Sequence, residues 1–152
     1  MDRRLYDQDF HLWTAAQAEA LRGEAKRQTT QSNAIDWDLL AEEIEDLGKR
    51  DRNEVWSLTR QIIMHLFKLA WTRREEPRGH WRAEIIGFRD ALQGVMTPSL
   101  RSNSLAELER LHAIAARQAQ LSFESEEPGT PTDPAWRWTL PQILGEENDP
   151  IA

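Results

Sequence analysis

The chain has 152 residues, of which 30% are charged and 39% hydrophobic, a balance that suits one globular domain with a sizeable core rather than a disordered segment. It has no cysteine, which excludes disulfides, thiolate catalysis and cysteine-ligated zinc and fits a reducing compartment. A net charge of −7 repels phosphate backbones, so nucleic acid is not an expected partner.

The opening MDRRLYDQDF lacks the apolar centre of a secretory signal, and a cytoplasmic location is expected. Helical periodicity begins at once. A first helix is predicted over residues 7–22, capped by Asp7, with Phe10, Trp13, Gln17, Ala20 and Leu21 on one face and Gly23 as its stop. Residues 24–35 are polar and aperiodic and read as a long loop.

A long second helix is predicted over 36–71, with Asp36 as N-cap. Its stripe is Leu40, Ile44, Leu47, Val55, Leu58, Ile62, Leu66 and Leu69. Asp51 interrupts the stripe and Gly48 precedes it, which marks a place for a kink. The first half is heavily charged, whereas VWSLTRQIIMHLFKLAW is apolar nearly all round and must be surrounded, by its own domain or by a partner. The run IIMHLFKLAW is interrupted by His65 and Lys68 and is too short to span a bilayer, so no membrane is expected.

Pro77 and Gly79 force a turn. Arg73, Arg74, Arg78 and Arg82 gather around it, diluted by Glu75 and Glu76, and read as a solvated loop and helix start. The third helix, 80–96, carries the stripe Trp81, Ile85, Phe88, Leu92 and Val95. The fourth starts either at Thr97-Pro98 or at Ser104, which with Glu107 would form a capping box. Its face is Leu105, Leu108, His112, Ala115, Ala116, Ala119 and Phe123.

Residues 124–138 are rich in proline and exclude regular structure. A short terminal helix over 140–144 follows, with Thr139 and Gln142 as its capping box and Trp138 stapled onto Ile143. The tail 139–144 is expected to dock, anchored by Trp136 and Trp138. The fold expected is all-α: a single domain over 1–152, an antiparallel bundle of about four main helices with a long second helix and a short C-terminal one. The seven tryptophans are read first as packing groups.

The segments LYDQDFHLW, DWDLLAEEIEDLGKRDRNEV, IIMHLFKLAW, HWRAEIIGFRDAL, TPSLR and WTLPQIL, in this order, resemble the family of bacterial domains of unknown function numbered 29. The family pattern falls here on Glu42, Glu43 and Glu45, on Arg52 and Glu54, on His65 and Lys68, and on Trp81, Glu84 and Arg89. The resemblance implies an all-helical bacterial domain and carries no activity with it.

Glu43, Arg50, Glu54, Gln61, His65 and Lys68 lie along one edge of the long helix, beside the stripe. Glu84 and Arg89 flank the stripe of the third helix. Polar groups at such a seam must be paired or wet. One reading is a buried ion-pair network that sets helix register. The other is a site, with Glu54, His65 and Glu84 as candidate catalytic groups and Glu43, Lys68, Arg89 and Trp81 as candidate binding groups. No metal is expected, since only His65 and His112 of the four histidines fall near core faces. The alternative is a magnesium ion held by carboxylates, with Glu43, Glu54 and His65 as its candidate ligands. No P-loop, G-x-S-x-G or H-E-x-x-H motif is present. The function expected is therefore a cytoplasmic helical-bundle domain that binds a protein partner or itself, without catalysis or cofactor. The alternative is a metal-dependent hydrolase of nucleotide-type substrates at the seam of the second and third helices.

Overall fold

The structure, a computed structural model, describes residues 3–27 and 34–152. Among these residues there are six helices and no strands: α1 (Arg3–Gln8), α2 (Phe10–Arg27), α3 (Trp37–Trp71), α4 (Arg78–Val95), α5 (Pro98–Glu126) and α6 (Leu140–Leu144). The described residues are thus all-α, as the periodicity requires. Among the described residues no helix is long and apolar enough to cross a membrane. The chain divides into two compact units, residues 1–54 with 97–102, and residues 55–96 with 103–152.

In the first unit the single helix predicted over 7–22 is two helices parted at Asp9. Asp9, not Asp7, is the cap: its Oδ1 accepts from Leu12 N–H at 3.0 Å. The same buried carboxylate accepts from Ser99 N–H at 2.7 Å and from Ser99 Oγ–H at 2.6 Å, so it also closes the start of α5. Burial works to raise the Asp9 carboxyl. The bonds from Ser99 and Leu12 outweigh it and hold the group below its ordinary value. Tyr6, Phe10 and Trp13 form a small ring cluster across α1 and α2.

α2 does not stop at Gly23 but runs to Arg27, so residues 24–27 of the expected loop are helical. Residues 28–33 of that loop lie outside the described residues. The cost of one helical glycine, about 1 kcal/mol, is easily outweighed by the turns on either side. Asp36 caps α3 as expected, accepting from Leu39 N–H at 3.0 Å. α3 continues unbroken through Gly48. α2 packs tightly against it: a Cβ there would stand 2.2 Å from Thr14 Oγ1. His11 Nδ1–H donates to the Gly48 carbonyl at 2.9 Å, and Thr14 Oγ–H donates to the His11 carbonyl at 2.7 Å.

The α3 stripe is covered only in its second half. Val55, Ile62 and Leu66 are buried, whereas Leu40 is 41% exposed and Leu47 40%. The first half buries Ala41 and Gly48 instead, a quarter turn away.

In the second unit α3 and α4 run antiparallel, joined by the turn that Pro77 was expected to mark. Glu127 ties the end of α3, accepting from Thr72 Oγ–H at 2.8 Å and from Arg73 N–H at 3.0 Å. The core joins Ile62, Ile63, Leu66 and Phe67 of α3 with Ile85 and Leu92 of α4 and Ala115, Ala119 and Phe123 of α5. Phe67 meets Trp71 at 5.0 Å and Trp138 at 4.9 Å, and Trp71 meets Phe123 edge-on at 5.8 Å. α5 begins at Pro98, with Leu100 N–H donating to Thr97 Oγ1, and the alternative start at Ser104 is a buried mid-helix position.

The proline-rich segment is held to α3 and α5 by Trp71 Nε1–H donating to the Asp133 carbonyl and Gln120 Nε2–H to that of Thr132. α6 has the predicted Thr139/Gln142 capping box and ends at Gly145, φ +74°. Trp138, Leu140 and Ile143 dock the tail. Trp136, expected as a second anchor, is 55% exposed.

Candidate functional site

The residues singled out by sequence fall in two places. Glu43, Arg50 and Glu54 belong to the first unit, and all three are exposed on α3. At about 100° per residue they share a face with Leu40 and Leu47. That face is therefore apolar along its centre and mostly acidic along its border, with half-buried Ile44 and Asp51 completing it. Neighbouring acids are engaged elsewhere: Glu45 meets Arg22 at 2.8 Å and Asp46 meets Lys49 at 3.4 Å. Glu43 and Glu54 have no ion pair among the described residues.

His65, Lys68, Trp81, Glu84 and Arg89 belong to the second unit. His65 is buried at the α3–α4 seam. Its Nδ1 faces the Gln61 carbonyl at 2.7 Å and so carries the hydrogen of that bond. Its Nε2 lies 2.5 Å from Glu84 Oε2. His80, one turn before Glu84, approaches Oε1 at 3.2 Å. One turn along the seam, Lys68 Nζ sits over the Trp81 ring, 5.3 Å from its centroid. The seam thus brings His65 to Glu84 and Lys68 to Trp81. Among the described residues no group of three or more His, Asp or Glu could hold a metal ion.

Arg89 is buried and turned to the tail. Nε donates to the Ile143 carbonyl at 2.9 Å and Nη2 to that of Gln142 at 3.1 Å. The same fork is bidentate on Asp149, at 3.0 and 2.9 Å. The Arg89 hydrogen bonds hold the Asp149 carboxyl below its ordinary value against partial burial.

His112, which sequence placed only on a core face, is a structural centre of its own. Nδ1–H donates to the Leu108 carbonyl at 2.9 Å, and Nε2 accepts Trp138 N–H at 3.2 Å. The ring lies parallel to that of Trp138. Burial pushes the imidazole down, Arg137 adds to that, and the Leu108 carbonyl and Glu109 oppose it. No periodicity could have found this acceptor role, because its donor is a backbone N–H 26 residues away.

The profile of the family described as "Domain of unknown function DUF29" matches residues 5–148. The chain belongs to this family. The DUF29 match spans both units, from α1 through the turn that carries Asp149's neighbours. Among solved structures, an alpha-helical protein of unknown function from Rhodospirillum rubrum ATCC 11170 superposes with a TM-score of 0.79 at 22% identity, over 95% of this chain and 92% of that one. At that identity the likeness speaks for the fold alone. No curated protein matches the chain.

Proposed function

We propose that this DUF29 chain is a non-catalytic protein-interaction domain, and that the first half of α3 is its docking face for a basic amphipathic helix. The observation that carries the reading is the exposed half of the α3 stripe. Leu40 and Leu47 repeat at helical spacing, yet each keeps about two fifths of its surface in solvent. A periodic apolar stripe left uncovered on a folded chain marks a contact surface. Glu43 and Glu54 border it without ion pairs of their own, and the chain carries −7 overall. That combination fits a helix with an apolar stripe flanked by lysines and arginines. The His65–Glu84 pair supports the non-catalytic side of the reading. Both imidazole nitrogens are already engaged within the protein, by the Gln61 carbonyl and by Glu84.

The test is titration of the full chain with a fluorescent lysine- and leucine-patterned amphipathic peptide, beside a glutamate-patterned one of the same length. The basic peptide should bind saturably, weaken with salt, and lose affinity with Leu40→Ser/Leu47→Ser and with Glu43→Lys/Glu54→Lys. All four positions are exposed, so the variants should fold. Equal binding of both peptides would overturn the reading. So would a stable dimer by light scattering that the leucine substitutions dissociate, since the occupant would then be a second copy.

A further inference from the structure

The arginines around the α3–α4 turn border a groove in the second unit. Its volume is about 250 Å³, and Leu66 and Leu69 of α3, Arg78 and Arg82 of α4, and Trp136 and Trp138 line it. These residues come from three separate segments, so no single helix end makes the site. The aliphatic side and the tryptophans are suited to a flat apolar body. Trp138 is buried, and Trp136, more than half exposed as a residue, stands 6.1 Å from it, centroid to centroid.

The charged side is unusual for this chain. Arg78 and Arg82 stand one turn apart on α4, so their guanidinium groups belong to the same wall. Arg78 is anchored by Nη2–H donating to the Thr72 carbonyl at 3.0 Å, while its Nε is buried without a hydrogen-bond acceptor. Its ion pair with Glu75 is long, 3.6 Å from Nε, and the Glu75 side chain is 90% exposed. Arg82 is exposed and has no ion pair among the described residues. Two cations beside an open aromatic surface call for an anion with an apolar body. A dry cavity of roughly 150 Å³ accommodates benzene, so this groove has room for one ring and a short acidic arm.

We propose that the groove binds a small aromatic anion, a carboxylate or a phosphate monoester, with the ring against Trp136 and Trp138 and the acid on Arg78 and Arg82. The probes are phenylacetate and phenyl phosphate, with 2-phenylethanol as the uncharged counterpart, titrated into the full chain. Binding is read by calorimetry and by the indole N–H resonances of Trp136 and Trp138, assigned with Trp136→Phe and Trp138→Phe. At least one anion should bind saturably and move both resonances, and which one binds separates carboxylate from phosphate. Arg82→Gln, at an exposed position, should weaken binding about tenfold without changing the melting temperature. The proposal is overturned if neither anion moves the two indoles, if the alcohol binds as well as the anions, or if Arg82→Gln leaves affinity unchanged.

Discussion

Gly145 and Arg89 are in contact through an absent side chain: a Cβ at position 145 would stand 2.6 Å from Arg89 Nη1 and 2.8 Å from Cζ. The left-handed residue that ends α6 therefore also makes room for the guanidinium that binds the carbonyls of Gln142 and Ile143 and the carboxylate of Asp149. One residue satisfies a backbone requirement and a packing requirement at once.

Two glycines with similar positive φ separate these requirements. Gly129 has φ +84° and nothing within 4 Å of where a methyl group would stand, whereas Gly145 has φ +74° and the guanidinium. Gly129→Ala should cost about 1 kcal/mol, the penalty of the left-handed conformation alone. Gly145→Ala should cost about 3 kcal/mol or more, because Arg89 must also leave its buried acceptors. Denaturant midpoints of the two variants measure the difference, and equal losses would show that the Arg89 fork is not held by this contact.

The second half of α3 and most of α4 were legible because burial there follows the stripe: Val55, Ile62 and Leu66, then Trp81, Ile85 and Leu92, are all buried. The first half of α3 misled for a physical reason. Periodicity identifies an apolar face but not whether anything covers it, so Leu40 and Leu47 read as core although Ala41 and Gly48 are what the structure buries. Asp9 and Asp7 are equally good caps in composition, and the choice depends on Ser99, 90 residues away. Arg89 flanks a stripe and reads as a seam residue, while its acceptors lie 53 to 60 residues further on. For the seam, the pattern offered His65 and Lys68 on one edge and Glu84 or Arg89 on the other without choosing between them, and it is the structure that pairs His65 with Glu84.

Gly48 is a close-approach residue rather than a breaker, and a double-mutant cycle tests that. A methyl group at 48 meets Thr14 Oγ1 at 2.2 Å and Thr14 Cβ at 3.3 Å. Gly48→Ala should therefore destabilise by about 2 kcal/mol, although alanine is the better helix former by about 1 kcal/mol. Thr14→Ala removes the nearer atom and should return part of that loss, giving a coupling of about 1 kcal/mol. A stabilising Gly48→Ala would mean that propensity dominates and that α2 can move away at no cost.

His112 predicts a dependence on pH whose sign follows from its bonds. Nε2 accepts Trp138 N–H, so the folded state holds the neutral ring, and protonation would set two N–H groups against each other. With the imidazole pushed down by burial, the unfolded chain takes up a proton more readily than the folded one. The stability contributed by the neutral ring is then complete above the ordinary histidine value of about 6.5, and declines as pH falls below it towards the lowered folded value. His112→Phe keeps an aromatic ring beside Trp138 but removes the acceptor, and should cost about 1–2 kcal/mol at neutral to basic pH. Because phenylalanine cannot titrate, the gap between wild type and variant should narrow as the solution is acidified through that window. Urea midpoints of both proteins across it supply the comparison. A gap that widens on acidification would mean that the folded state holds His112 charged, with Trp138 N–H turned to another acceptor.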